Sequence, residues 1–189
     1  MRLRPCYTFK DPERKNFEFR FLDGDLDEDG VRDFLASLCV YGGDRGWTGT
    51  ISEAIPLLIE RDSQVMGGGL AVIDDPIEFY PACCSGLEDW RDWFDALKGE
   101  GPQWLGGHEP DQWLEIVGEH AQIHSESAES HEVLKVDLLT LKLALEQAER
   151  ELVEAVGRIH EVAQAVLPQH ADKLISRITG WFDVKMPVA

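Results

Sequence analysis

The sequence predicts an α+β fold: an antiparallel sheet packed by helices, with a long amphipathic helix in the C-terminal third. Segments with period-2 apolar alternation neighbour one another along the chain, as hairpins and meanders require, whereas a parallel sheet would interleave strands with helices. Apolar residues from Leu141 to Val166 recur at steps of three and four through about seven turns, the pattern of a helix with one buried face. The 189 residues are 43% hydrophobic, enough to fill one core. We read residues 1–189 as a single α+β domain whose part 139–182 is helical.

Phe17, Phe19 and Phe21 alternate with Glu18 and Arg20 as a half-buried strand, and Cys6-Tyr7-Thr8-Phe9 is its hairpin partner across Asp11-Pro12. Val31, Phe34, Leu35, Leu38 and Cys39 share one face of a helix over 31–41. Asp27 to Asp29 precede it, where a helix N-terminus favours anions, and Gly42-Gly43 stops it. Ile51, Ile55, Leu58 and Ile59 predict a second helix from about Ser52, with Pro56 in or near its first turn. Gln64 to Ile73 reads as a strand interrupted by Gly67-Gly68-Gly69, and Asp74-Asp75-Pro76 turns it toward a second strand, Ile77 to Ala82. Ser85-Gly86-Leu87-Glu88 has the form of a capping box ahead of a short helix carrying Leu87, Trp90, Phe94 and Leu97.

Residues 99–112 are rich in Gly and Pro and read as a surface loop with Trp104 and His108. Trp113 to Val117, His120 to Ser125 and the alternating Leu134, Val136 and Leu138 form a three-stranded meander, its first two strands joined by Gly118-Glu119. The long helix begins near Thr140, with Glu146–Arg150 and Glu154–Arg158 as i,i+4 pairs on its wet face; Pro168 stops or restarts it. A last helix carries Ala171, Leu174, Ile175, Ile178 and Trp181. The long helix packs on its own sheet, or else protrudes and supports a homodimer through the C-terminal helices.

Thirty-six Asp and Glu against eighteen Lys and Arg give a net charge of −18, which excludes a phosphate-neutralising nucleic-acid binder. Residues 1–21 hold six basic and three acidic side chains, so the acidic excess belongs to the rest of the chain. No apolar run reaches the roughly 18 residues that a membrane helix needs. Met1-Arg2-Leu3-Arg4 has no apolar stretch behind it, so we expect no signal peptide and a cytoplasmic protein. The four cysteines contain no C-x-x-C pair, in keeping with a reducing compartment. Cys39 reads as core. The adjacent Cys83 and Cys84 point to opposite faces of a strand, or form a strained vicinal disulfide, or share a metal.

Asp25-Leu26-Asp27-Glu28-Asp29-Gly30 matches the opening of an EF-hand loop, in which alternate carboxylates converge on one hard cation and glycine permits the turn. Val31 would add its carbonyl and Asp33 a further ligand, but Ala36 stands where a bidentate Glu belongs, so calcium binding through Asp25, Asp27, Asp29, Val31 and Asp33 would be weak. The competing reading is an acidic turn that caps the helix after it. His108, His120, His124 and His131 read as surface histidines. His120 and His124 would lie about 13 Å apart along a strand, too far for one zinc. Cys84, His108 and Asp111 contain the groups of a nucleophilic triad, but nothing local brings them together. With no G-x-S-x-G, P-loop or H-E-x-x-H, the reading is of a non-enzymatic protein that needs no cofactor.

Five of the six tryptophans lie between residues 47 and 113. Trp90 and Trp93 flank an acidic ladder of Glu88, Asp89, Asp92 and Asp95, the combination of buried ring area and steering charge that a hot spot for a basic protein uses. Asp89, Asp92, Trp93, Asp95 and Trp104 are therefore the candidate partner-binding residues. The stretch Pro81-Ala82-Cys83-Cys84-Ser85-Gly86-Leu87-Glu88-Asp89-Trp90-Arg91-Asp92-Trp93, followed by Trp113-Leu114-Glu115 and an amphipathic helix, resembles small bacterial proteins of the immunity type in polymorphic toxin systems. The resemblance spans 77–166. It implies a stoichiometric inhibitor, an acidic protein that covers the active site of a basic toxin or nuclease, and it implies no catalytic residue. A small-molecule binder built around the Gly67–Gly69 strand and the loop to His108 is the remaining alternative.

Overall fold

The computed structural model describes residues 1–10, 17–44, 49–82, 84–99, 103–106 and 109–187. The fold is α+β, but the strands form two four-stranded antiparallel sheets instead of one. In the first, β1 (Arg2–Lys10), β2 (Phe17–Phe21), β3 (Gly68–Asp74) and β4 (Ile77–Phe79) take the order β2-β1-β3-β4. In the second, β5 (Gln103–Gly106), β6 (Asp111–Val117), β7 (His120–Glu126) and β8 (His131–Asp137) run in sequence order.

β1 is longer than alternation alone suggests because its first half pairs with β3, from Arg2↔Ile73 to Tyr7↔Gly68, and Pro5 sits inside it at a place where the strand tolerates proline. Pairing to β2 ends at Cys6↔Phe21, and beyond it the Pro5 carbonyl still accepts from the Leu22 amide at 2.8 Å. The missing donor falls where β2 has already finished. β5 lies in the segment expected to be a loop. Its glycine-poor centre, Gln103-Trp104-Leu105, pairs with β6 through Trp104↔Trp113 and makes the meander four strands wide. The turn expected at Asp11-Pro12, together with Trp47, Cys83 and His108, lies outside the described residues.

Helix α1 (Glu28–Tyr41) starts three residues earlier than its apolar face, because Asp27 caps it: the Asp27 carboxylate accepts from the Gly30 amide at 2.7 Å. α2 (Ile51–Ile59) is opened by Thr50, whose amide donates to the Glu53 carboxylate at 2.8 Å. Pro56 lies within it on the exposed side. α4 (Leu138–Val166) buries Leu141, Leu145, Ala148, Leu152, Val156, Ile159 and Ala163, and packs against α5 (Pro168–Trp181), β1 and the strands β7 and β8. The stripe that suggested pairing with a second copy is thus used within the chain, while Leu139 and Leu143 remain exposed on the same helix. The anticipated Glu146–Arg150 and Glu154–Arg158 pairs are replaced. Arg150 donates to Gln147, and Arg158 pairs with Glu161 and donates to the Leu26 carbonyl. Among the described residues no helix is long and apolar enough to cross a membrane.

The helix expected over 87–97 is divided into a 3-10 turn, Leu87–Asp89, and the single-turn α3 (Asp92–Ala96). The anticipated capping box does not form. Glu88 instead accepts from the Met66 amide at 3.1 Å, while Leu87 donates its own amide to the Met66 carbonyl at 2.8 Å. These two bonds tie the turn to the approach of β3, where Gly67 also bridges Gly86. Tertiary pairing with Met66 takes the acceptor that a free helix would have used for its own N-terminus.

Candidate functional site

The acidic ladder survives the break in the helix. Asp89, Asp92 and Asp95 recur every three residues and are all exposed. Partial burial, then the charges of Asp89 and Asp95, push the Asp92 carboxyl above the usual carboxylate range. Asp95 pairs with Lys98 at 2.8 Å, an exposed pair that contributes little. α3 packs against β5, the strand that carries Trp104, which is 61% exposed. The Trp104 indole donates to the Asp111 carboxylate at 2.7 Å, which fixes an otherwise free ring on the surface. Trp93 is different: at 6% exposure it belongs to the core, where it supports the ladder from beneath and offers no face to a partner. Trp90 is also core.

Register explains what Trp104 neighbours. On one face of the second sheet Leu114, Ala121, Ile123, Leu134 and Val136 are buried; on the other, alternation aligns Trp104↔Trp113↔His124 across three strands. Trp113 stacks on His124, centroids 4.5 Å apart and 10° from parallel, and on His131 at 5.5 Å. His124 Nδ1 and His131 Nε2 are 3.1 Å apart, so one proton bridges them. The expectation that both are plain surface histidines is corrected for His124, which is 8% exposed because Trp113 and His131 cover it. Burial first, and His131 second, hold its pKa below the ordinary imidazole value, against a weaker opposite pull from Glu115. His120 pairs with Asp137 at 3.0 Å at the far end of the sheet.

The residues of the calcium reading do not converge. Asp27 caps α1, Asp29 pairs with Arg32 at 2.7 Å, and Asp33 is held by both Arg20 and Arg32. Val31 is wholly buried within α1, so its carbonyl belongs to the helix ladder. Asp25 stays exposed, its amide bonded to Asp23. Among the described residues no three His, Cys, Asp or Glu side chains are grouped to hold a metal. Local helix capping and two arginines take the carboxylates that an ion would need. The cysteines offer no activated thiolate in the core: burial pushes Cys6 up to about 12 and Cys39 up to about 11.

Where the two sheets meet, a cleft of about 610 Å³ opens. From the first sheet come Phe17 and Phe19 and, after β4, Tyr80, which stacks on Phe19 at 5.2 Å. From the second come Ser125 and Glu132, directly paired across β7 and β8, with Glu109 and Pro110 at the approach to β6. Gln112 donates to the Tyr80 carbonyl at 2.8 Å and fastens one sheet to the other beside the cleft. Sequence reasoning missed this cleft. The alternating phenylalanines of β2 marked one wall, but no local signal links it to Ser125 or Glu132, which are more than a hundred residues away.

No family model matches this chain, and no curated protein and no solved structure is similar to it.

Proposed function

We propose that this protein is a non-enzymatic, cytoplasmic binder of a basic protein, acting as an immunity protein that blocks a toxin or nuclease. One observation carries the reading: three exposed aspartates recur every third residue on a segment packed against β5, the strand that presents the exposed, hydrogen-bonded indole of Trp104. Carboxylates left facing water at close spacing repel one another, and a cationic surface relieves that repulsion while the indole supplies apolar contact area. The net charge of −18 speeds encounter with a basic partner and repels nucleic acid, so the two would not compete for the same face. The resemblance of 77–166 to immunity proteins points the same way. Replacing Asp89, Asp92 and Asp95 together by Lys tests the assignment. Association with the basic partner is expected to slow at least tenfold at low salt and to lose most of its salt dependence. Unchanged rate and salt dependence would remove this patch from the interface.

A second reading is favoured by the cleft between the sheets. Its volume suits a small molecule, and it combines apolar walls with a few polar groups, as ligand sites do.

A further inference from the structure

We infer that the cleft between the two sheets is a binding site for an organic cation, a guanidinium or primary ammonium group carried on an apolar body. This rests on the second reading above, that the cleft holds a ligand, and names the chemical class it takes. The charges lining the cleft have one sign: Glu18, Glu78, Glu109 and Glu132 face it, and among the described residues no Lys, Arg or His lines it. Glu18 is already paired with Arg20. The other three keep most of their acceptor capacity, since an ionised carboxylate offers about four lone-pair sites. Glu78 accepts one bond from the Tyr80 hydroxyl at 3.1 Å, Glu109 one from the Ala128 amide at 3.4 Å, and Glu132 makes none among the described residues. Ser125 adds a second kind of evidence. It lines the cleft at 8% exposure, and no described residue hydrogen-bonds its hydroxyl, which leaves that group to pair with a ligand in the cleft.

The chemistry discriminates among ligands. Low-dielectric walls of Phe17, Phe19 and Tyr80 focus the negative potential, which repels phosphates, nucleotides and carboxylates. A small hard cation is excluded by spacing, because no three of these groups converge on one point. A delocalised cation satisfies spread carboxylates, and its flat apolar body matches the ring walls. The same strands already seat guanidinium groups on rings, Arg4 over Phe21 at 3.7 Å and Arg20 over Phe9 at 3.6 Å.

The test is an amide chemical-shift titration of the full chain with benzamidine and its neutral isostere benzamide. Benzamidine is expected to shift the amides of Tyr80, Ser125 and Glu132, and benzamide to bind at least tenfold more weakly. A Glu109→Gln, Glu132→Gln double variant should weaken benzamidine about tenfold, the loss of charge-assisted hydrogen bonds. Ser125→Ala, which removes no charge, provides a second variant should that one misfold. Agmatine and a blocked Gly-Arg-Gly peptide separate the sources: binding of both assigns a free small molecule, and binding of the peptide alone assigns a side chain of a protein. Equal binding of benzamidine and benzamide would overturn the cationic class while leaving the cleft a ligand site. Absence of any shift in the cleft with either compound would overturn both.

Discussion

The indole of Trp90 donates a 2.7 Å hydrogen bond to the carbonyl of Phe182, 92 residues further on, and so pins the segment that carries the acidic ladder to the C-terminal end of α5. Arg91 reinforces the join. It lies over the Trp90 ring at 4.2 Å and pairs with Glu149 of α4 and with Asp183. Asp89 and Asp92 therefore project from a turn whose position is fixed by the far end of the chain, although α3 itself is only five residues long. A short helix has little stability of its own, and here tertiary anchoring supplies it.

Trp90→Phe keeps most of the buried ring but removes this bond and leaves the Phe182 carbonyl without its donor. Chemical denaturation should show a loss of about 2–4 kcal/mol, combining the orphaned acceptor with the smaller side chain. A loss below about 0.5 kcal/mol would mean that the anchor matters little.

Gly68 has φ of +150°, and a Cβ added to it would lie 2.3 Å from the Cys6 carbonyl oxygen. Gly68→Ala should cost more than about 2 kcal/mol, from backbone strain and from pushing β3 away from β1. Gly118, at φ +63° in the β6–β7 turn, has open space around it, and asparagine adopts that conformation readily. Gly118→Asn should change stability by less than about 1 kcal/mol in the same denaturation measurement.

Much of this architecture was legible. The stripe from Leu141 to Ala163 placed α4, and the two-residue turn at Gly118-Glu119 fixed the register that sets Trp113 opposite His124. The stack itself was not foreseen, because residues read one strand at a time look like surface histidines until the neighbouring strand is laid beside them. The acidic ladder was visible as spacing, but which of its rings faces outward was not: Trp93 and Trp104 look alike in sequence, and only packing on the core separates them. Of the two readings of the 25–33 segment, the acidic turn that caps the helix fits Asp27 on the Gly30 amide, and Asp29 and Asp33 have near partners in Arg32 and Arg20. The cleft needs two sheets that meet, and nothing local in the chain announces a second sheet.

His124 makes stability depend on pH. Its pKa is held below the ordinary value of 6.5, so near that pH the folded protein binds fewer protons than the unfolded chain. Its contribution is complete above the ordinary value, is lost as pH falls through it, and levels off below the depressed folded value. His124→Phe keeps a ring on Trp113 and cannot titrate. Melting temperatures of the two proteins between pH 8 and 5 should diverge, with the native protein losing more on acidification. Glu88 and Glu151, both pushed up by burial, oppose this trend equally in the two proteins and cancel in the comparison. Parallel curves would contradict the assignment.

Asp27→Ala removes the cap of α1 and should cost about 1 kcal/mol, by the same amount with and without millimolar calcium. A melting temperature of the native protein that rises with calcium, and a variant that has lost the rise, would restore the ion-binding reading of the 25–33 segment.

The central claim is that the acidic ladder and the exposed Trp104 recognise a basic protein, and parallel affinity capture from the native host tests it most directly. Tagged native protein, the Asp89, Asp92 and Asp95 triple Lys variant and Trp104→Ala are exposed to the same lysate at low salt, and bound species are identified by mass spectrometry. The account predicts one basic protein recovered near one-to-one on the native chain, released by a salt step, strongly reduced on Trp104→Ala and absent from the triple variant. Equal recovery on all three, or no basic protein on the native chain from cells shown to express candidate toxins, would contradict it.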